Sequence, residues 1–373
     1  MDLALTILTF AAHALAAVLV VGTLLPALPL GAWLVRGWDF PRVHLAAGCA
    51  GTIALLITLG AIRGWGAGIP VAIVLVVLAG AWQTWRIAPY TPIWPKRVPG
   101  TPEPGLRLLV VNLDVRNERR ADVAAMIEGQ RPDLLLLIEI DETWASALSG
   151  VRNGFAHHVE DVRPDGLGLA LWSRLGLSDP EIRELVSEKR PSIRTTVRLD
   201  DGRDARFVGL HPTPPGLPRD HDGSDQDGRY DSRIRDAELL LVAEEIADAS
   251  GESWIVAGDF NDVAWSHTTR LFQRVSGLKD PRIGRGLFNT YHAEYRLLRY
   301  PVDHVFLSPG FAVAGMRRVE IPGSDHFGIL TELALRRPES EPVSADAADR
   351  EEARDLIGEG ERDAAHNGEA TNT

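Results

Sequence analysis

Three uninterrupted apolar stretches dominate the first hundred residues. Residues 3–25, 44–62 and 69–85 contain no Asp, Glu, Lys or Arg. A helix rises about 1.5 Å per residue, so roughly 20 residues match a hydrocarbon core about 30 Å thick, and each stretch predicts a membrane-spanning helix. Six tryptophans (Trp33, Trp38, Trp65, Trp82, Trp85 and Trp94) fall in this region, nearly all at stretch ends, where an indole suits the headgroup zone. No basic segment precedes Leu3, which argues against a cleaved export signal. The absence of charge inside the stretches argues equally against a transporter.

The pattern then changes twice. Residues 88–105 hold Pro89, Pro92, Pro95, Pro99, Pro102 and Pro104, which end the third helix and predict a semi-rigid stalk holding a domain off the bilayer. From 106 to 337 the chain alternates short apolar runs with polar connections. Runs at 106–112, 134–140, 168–173, 193–199, 205–210, 254–257, 302–307 and 328–335 read as strands, and helical spacing covers 119–129 and 232–249. Many strands with few, widely spaced helices predict an α/β domain of two packed sheets with helices outside. Residues 338–373 contain one each of Val, Leu and Ile among many acids and alanines, a composition that predicts a disordered acidic tail. The expected organisation is thus a membrane domain over 1–87, a linker over 88–105, a catalytic domain over 106–337 and a tail over 338–373.

Charge follows the same partition. The total is −12, but residues 1–105 carry +3, residues 106–337 carry −7 and residues 338–373 carry −8. This excludes a basic DNA-coating protein. The single cysteine, Cys49, excludes an intramolecular disulfide framework and a Cys-rich zinc site. Beside the spans, Arg36, Arg42, Arg86, Lys96 and Arg97 fall on one side and Arg63 on the other. That bias places the amino terminus outside a cell membrane and the large domain in the cytoplasm.

Candidate chemistry lies where polar residues interrupt the apolar runs. Asn112 closes the first strand and Asp114 follows it. Glu139 sits within Leu137-Ile138-Glu139-Ile140, and His211 ends Gly209-Leu210-His211. Asp259 and Asn261 follow Ile255-Val256-Ala257-Gly258, Asp303 lies in Val302-Asp303-His304-Val305, and Asp325 and His326 precede the last strand. Singly, each is a turn former, a cap or, for Glu139, a partner for Arg174 or Arg194. Together they converge, because strand ends of an α/β domain share an edge. Convergent carboxylates raise one another's pKa unless a cation neutralises them. Asp114, Glu139, Asp259, Asp303 and Asp325 without cysteine form a hard oxygen set suited to Mg²⁺ or Mn²⁺. The histidines add proton transfer or charge, which is the equipment of phosphate-ester hydrolysis.

These motifs, in this order, resemble the endonuclease/exonuclease/phosphatase superfamily with its DNase I-like fold. The resemblance rests on Val111-Asn112-Leu113-Asp114, Pro132-Asp133, Leu137-Ile138-Glu139-Ile140, Gly209-Leu210-His211, Gly258-Asp259-Phe260-Asn261, Val302-Asp303-His304-Val305 and Ser324-Asp325-His326. It implies a four-layer α/β sandwich, two mixed sheets flanked by helices, behind three transmembrane helices, as in a bacterial membrane-anchored branch. It further implies a metal-dependent phosphoesterase. Glu139 would be the principal metal ligand, with Asp325 and Asp114 serving the metal site. Asn112 would be a donor near the phosphate. Asp259 and Asn261 would orient water and phosphate, His211 would stabilise charge or assist the leaving group, and Asp303 would orient His326 as general base or phosphate contact.

The substrates this implies are nucleic acid or, with the anchor near headgroups, a phospholipid or inositol phosphate. Arg233, Arg235, Arg282, Arg285, Arg296 and Arg299 are candidates for a phosphate-binding patch. The loop Arg219–Gly228, with four aspartates, reads as a solvated insertion or a substrate gate. A non-catalytic membrane-tethered binding module is the alternative from another class, and the full set from Asn112 to His326 argues against it.

Overall fold

The structure, a computed structural model, describes residues 2–28, 30–103, 105–215, 231–249, 251–336 and 343–371. The acidic loop Arg219–Gly228 lies outside the described residues. The N-terminal bundle contains α1 (Asp2–Leu24), the short α2 (Trp33–Arg36), α3 (Arg42–Arg63) and α4 (Gly68–Ile87). Three of its helices are long and apolar enough to cross a membrane. Their shared interior combines small residues with branched ones: Ala12, Ala16, Cys49, Ala72 and Ala79 pack beside Leu19, Leu56 and Val76. Small side chains let helix backbones approach closely. At one end of the bundle a buried polar chain links all three long helices. Arg42 donates to Asp39 and to Gln83 Oε1 (2.8 Å), and Gln83 Nε2 donates to Thr23 Oγ1 (2.9 Å).

The linker is not a stalk. Its prolines do stop α4, but the extended chain lies along the domain and is hydrogen-bonded to it. Tyr90 Oη donates to the Ala264 carbonyl (2.6 Å), and the Gly284 amide donates to Pro89 (2.8 Å). The Thr101 amide donates to Val313 (3.2 Å), and Val98 is buried in the sheet core. An extended segment carries unpaired backbone groups, and an adjacent sheet edge offers them partners. The bundle docks through the same region. Arg86 donates to the Trp265 carbonyl (2.9 Å), and Trp265 Nε1 donates to the Asp39 carbonyl (2.7 Å).

The domain has the expected layers. Strands β1 (Leu106–Asn112), β2 (Leu134–Ile140), β3 (His157–Asp161) and β4 (Gly168–Ser173) form one sheet with the two late strands β10 (Phe311–Glu320) and β11 (Phe327–Leu335), in the order β10-β11-β1-β2-β4-β3. Strands β5 (Gly176–Glu184), β6 (Pro191–Arg198), β7 (Asp204–Leu210), β8 (Trp254–Asp259) and β9 (Asp303–Leu307) form the other, in sequence order. Among the described strands, β1–β2 and β7–β8 are the parallel pairs. Alternation sorts the side chains of the central strands. Leu108, Val110, Leu134 and Leu136 meet Ile193, Phe207, Ile255 and Val305 between the sheets. Leu109, Val111, Leu135 and Leu137 face helices α5 (Arg120–Gln130), α6 (Glu142–Ala147) and α7 (Ser149–Arg152). Helices α8 (Arg233–Asp248) and α9 (His267–Ser276) cover the other sheet. With both faces covered, the central strands read as continuous apolar runs rather than alternating ones.

The acidic segment is helical where its composition predicts disorder. Residues Ala347–His366 form α10, opened by a reciprocal cap between Asp346 and Asp349 and packed on α8 through Ala353 and Ile357. Its few apolar residues fall on one face at helical spacing, and Arg274–Asp349 (2.8 Å) ties the first turn to α9. Composition alone hides a helix whose apolar stripe is this narrow.

Candidate active site

Topology gathers the candidate residues on one edge. Asn112 ends β1, which runs parallel to β2, Asp259 ends β8, which runs parallel to β7, and Asp303 opens β9 directly opposite Asp259 in the ladder. β11 runs antiparallel to β1, so Asp325 and His326, just before it, come back to the Asn112 end. Each turning point has unusual backbone. Glu139 takes φ 63° at a bulge between Ile138 and Ile140, which swings its carboxylate out of the β2–β4 ladder. Asp114 and Asn261 also take positive φ, at 55° and 50°. Gly258 takes φ 152°, and a Cβ there would stand 1.9 Å from the Leu210 carbonyl oxygen, so only glycine lets β7 and β8 close beside the site.

Asn112 sits at the centre. Its Nδ2 donates to Glu139 Oε1 (3.1 Å) and Asp259 Oδ2 (3.3 Å), and its carbonyl accepts from Ser324 Oγ (2.9 Å). The Val115 amide donates to Glu139 Oε2 (3.3 Å), so neither Arg174 nor Arg194 is the partner of Glu139. His326 Nδ1 lies 2.9 Å from Asp303 Oδ2, and its Nε2 lies 3.6 Å from Asp259 Oδ2 and 4.0 Å from Asp325 Oδ1. His211 Nε2 stands 4.0 Å from Glu139 Oε1. Glu139, Asp259 and His326 thus share one cleft.

Asp114 and Asp325 form a second tier. Arg116 bonds Asp114 Oδ1 (3.1 Å) and reaches Asp325 Oδ2 (3.6 Å), so a guanidinium holds these two at the cleft mouth. Asn261 faces the other way: its Nδ2 donates to the Pro212 carbonyl (2.9 Å), and its amide donates to Asp259 Oδ1 (2.9 Å), fixing both His211's loop and Asp259.

The electrostatics follow from burial and crowding. Loss of water raises the Glu139 carboxyl, with His326 and Asn112 opposing. Burial and the neighbouring Asp303 push Asp259 up to about 7. Burial would lower His326, but Asp303 and Asp259 hold it well above the usual imidazole range. Burial and the Arg190 guanidinium hold His211 well below that range. The site therefore pairs a charged imidazole with a neutral one.

The ligand atoms of Asp259, Asp303 and His326 all lie within 4.8 Å of one another. The Asp303–His326 contact is itself a hydrogen bond, which commits those two groups to each other. Glu139 and Asp259 share the Asn112 amide and each accepts one backbone amide, from Val115 and Asn261. With the His326 ring committed to Asp303, two converging buried carboxylates fit a hard divalent cation.

Three participants escaped the sequence reading. Arg116 lies only two residues past Asp114, and that spacing was the available signal. Arg190 contacts the His211 ring (3.2 Å to Nδ1), and Tyr291 packs its ring 4.9 Å from that of His326. Neither follows from sequence distance.

Most of the six candidate arginines are committed to other partners. Arg235 is buried against Asp236 and Asp262, Arg282 against Asp280, and Arg233 pairs with Asp231 and Asp363. Arg285 and Arg299 donate to backbone carbonyls. Arg296 alone of the six is exposed with no such contact.

Residues 109–326 match the profile described as the Endonuclease/Exonuclease/phosphatase family. Similar solved structures include D. rerio TDP2 humanized by 14 mutations, at 18% identity over 61% of this chain and 98% of that one, TM-score 0.48. An endonuclease/exonuclease/phosphatase from Beutenbergia cavernae is 20% identical over 63% of this chain and 72% of its own, TM-score 0.48. The human Nocturnin catalytic domain with bound sulfate is 15% identical over 62% and 94%, TM-score 0.47. No curated protein matches.

Proposed function

The chain belongs to the endonuclease/exonuclease/phosphatase family, and from that premise we propose that it is a membrane-anchored, Mg²⁺-dependent phosphoester hydrolase. The observation that carries this is the pairing of His326–Asp303 with Glu139–Asn112–Asp259 across one cleft. Glu139 would hold the cation foremost, with Asp325 and Asp114 beside it. Bound there, the cation neutralises charge on a phosphoryl oxygen. Mn²⁺ suits the same donors.

The remaining roles belong to the chain. Asp303 fixes the His326 ring through Nδ1, so the Nε2–H points at the phosphate position and donates to the developing charge. Asp259 Oδ2, held by Asn112 and facing His326 Nε2, takes the proton of the attacking water. Asn112 Nδ2 spends its two hydrogens on Glu139 and Asp259 and so fixes both carboxylates, while the neutral His211 adds a donor without adding charge. Asn261 sets the Asp259 carboxylate through its backbone amide.

A phosphodiester, nuclease-like substrate is the first reading. Two observations weigh against a long polyanion and support a membrane phosphoester as the second reading: the domain carries −7, and five of the six candidate arginines are committed elsewhere. The test uses the full chain in detergent with bis-p-nitrophenyl phosphate. Mg²⁺-dependent hydrolysis abolished by EDTA and by Asp259→Ala supports the proposal, and activity indifferent to both overturns it. Plasmid DNA, RNA and phospholipid vesicles assayed side by side separate the substrate classes. The Lys/Arg bias supports a cytoplasmic domain; labelling of Ile93→Cys by an impermeant maleimide in intact cells would contradict it.

A further inference from the structure

Segment 291–300 joins the catalytic edge to the membrane bundle. At its base, Tyr291 bridges both Tyr300 and His326, and the Ala293 amide donates to the Asp325 carbonyl (2.6 Å). Its tip is a tight turn closed by the Leu298 amide on the Tyr295 carbonyl (2.8 Å). That tip presents Tyr295, Leu297 and Leu298 at 57%, 80% and 53% exposure, with Glu294 and Arg296 also exposed. Two adjacent leucines this bare on a loop beside a buried catalytic edge call for a partner.

The bundle indicates which partner. His44, on the outer face of α3, bonds the Leu297 carbonyl through Nε2. Tyr300 closes the same contact, its ring 5.5 Å from Phe40 and 6.0 Å from His44. α3 has 22 residues, about 33 Å of helix against a hydrocarbon core of roughly 30 Å, so both its ends reach the interface. His44 is its third residue and stands at that boundary. The turn hung on His44 stands at the same depth. Ile93, six residues past the end of α4, and Leu34, before α3, are also bare, at 92% and 78% exposure. They place further apolar groups in connections next to span ends.

We propose that the turn at 294–298 is seated in the lipid headgroup zone, with Leu297 and Leu298 against the acyl chains and Arg296 among lipid phosphates. Such a contact fixes the cleft edge bearing Asp325 and His326 at the bilayer surface. The proposal rests on the reading of α1, α3 and α4 as spans, and the experiment separates the two.

In full-length protein with Cys49→Ser, single cysteines replace Leu297, Leu78 (mid-span, 63% exposed) or Asp200 (at the β6–β7 turn, the opposite sheet edge). Each is labelled with an environment-sensitive fluorophore in phosphatidylcholine/phosphatidylglycerol vesicles. Quenching by lipids spin-labelled near the headgroup is then measured. The expected result is quenching at Leu297→Cys several-fold above Asp200→Cys, with Leu78→Cys quenched by spin labels deep in the acyl chain. If Leu78→Cys is quenched and Leu297→Cys matches Asp200→Cys, the turn lies in water and the proposal fails alone. If none is quenched, the spans fail and the proposal falls with them. All three positions are exposed, so the substitutions leave the packing intact.

Discussion

His326 Nδ1 and Asp303 Oδ2 lie 2.9 Å apart, both groups almost wholly buried. This hydrogen bond fixes which face of the imidazole meets the substrate. Asp303→Asn is expected to lower kcat by about 10²-fold with little change in KM, because it removes orientation and charge support rather than binding. Steady-state kinetics on bis-p-nitrophenyl phosphate check this. A kcat within experimental error of the parent would remove Asp303 from the mechanism.

Glu139 and Asp259 share the Asn112 amide, and the proposed function seats a cation at Glu139. Adding Mg²⁺ at a hundredfold over Kd is expected to stabilise the folded protein by about 2.7 kcal/mol. Glu139→Gln is expected to abolish most of that gain. Thermal unfolding with and without Mg²⁺, in both proteins, measures it. Equal shifts would move the cation away from Glu139.

Gly258 and Leu210 set the closest approach in the site. Gly258→Ala forces a Cβ against a carbonyl at a φ that other residues avoid, and is expected to cost about 3 kcal/mol or more. Gly251, with φ 98° and nothing within 4 Å, isolates the backbone effect. Gly251→Ala is expected to cost about 1 kcal/mol. Similar unfolding midpoints for the two variants would contradict the steric argument.

Glu238 lies within α8 and accepts from the Ser187 amide (3.3 Å), and burial raises its pKa to about 7. Between the unfolded value near 4.5 and the folded value near 7, the folded state binds more protons than the unfolded one. Stability from this group is therefore full below pH 4.5 and falls as pH rises toward 7. Glu238→Gln is expected to flatten that part of the melting-temperature profile. A slope unchanged by the substitution would refute the assignment.

α10 packs on α8, with Ile357 7% exposed. Ile357→Ala is expected to destabilise the domain by about 2 kcal/mol. Chemical denaturation of the full chain tests this, and no change would return the segment to the status of a loose tail.

The three long apolar helices were legible because the rule for a candidate span is simple, about 20 residues without charge. The strands were legible where both faces are covered, since Leu134–Ile140 then reads as one apolar run. β3 and β5 were not. His157–Asp161 lies at a sheet edge with half-exposed polar residues, and Gly176–Glu184 is mostly exposed. β10 was missed because its second half, including Arg317 and Arg318, is polar. α10 and the docked linker were missed because composition records how much apolar surface a segment has and not where it falls.

The sequence by itself determined the three long apolar helices, the two-layered sheet core, and the order of Asn112, Glu139, His211, Asp259, Asp303 and His326 along the chain. Hydrophobic periodicity and strand-end polarity are local properties, and a linear string carries them. Only the tertiary structure decided that Asn112 joins Glu139 to Asp259, that Arg116 holds Asp114 and Asp325, that Arg190 faces His211, and that His44 meets Leu297. Those pairings depend on strand order, on a bulge at Glu139 and on a glycine at 258. Distances of a few ångströms between residues up to 253 positions apart are fixed by how the layers close and by nothing written between them.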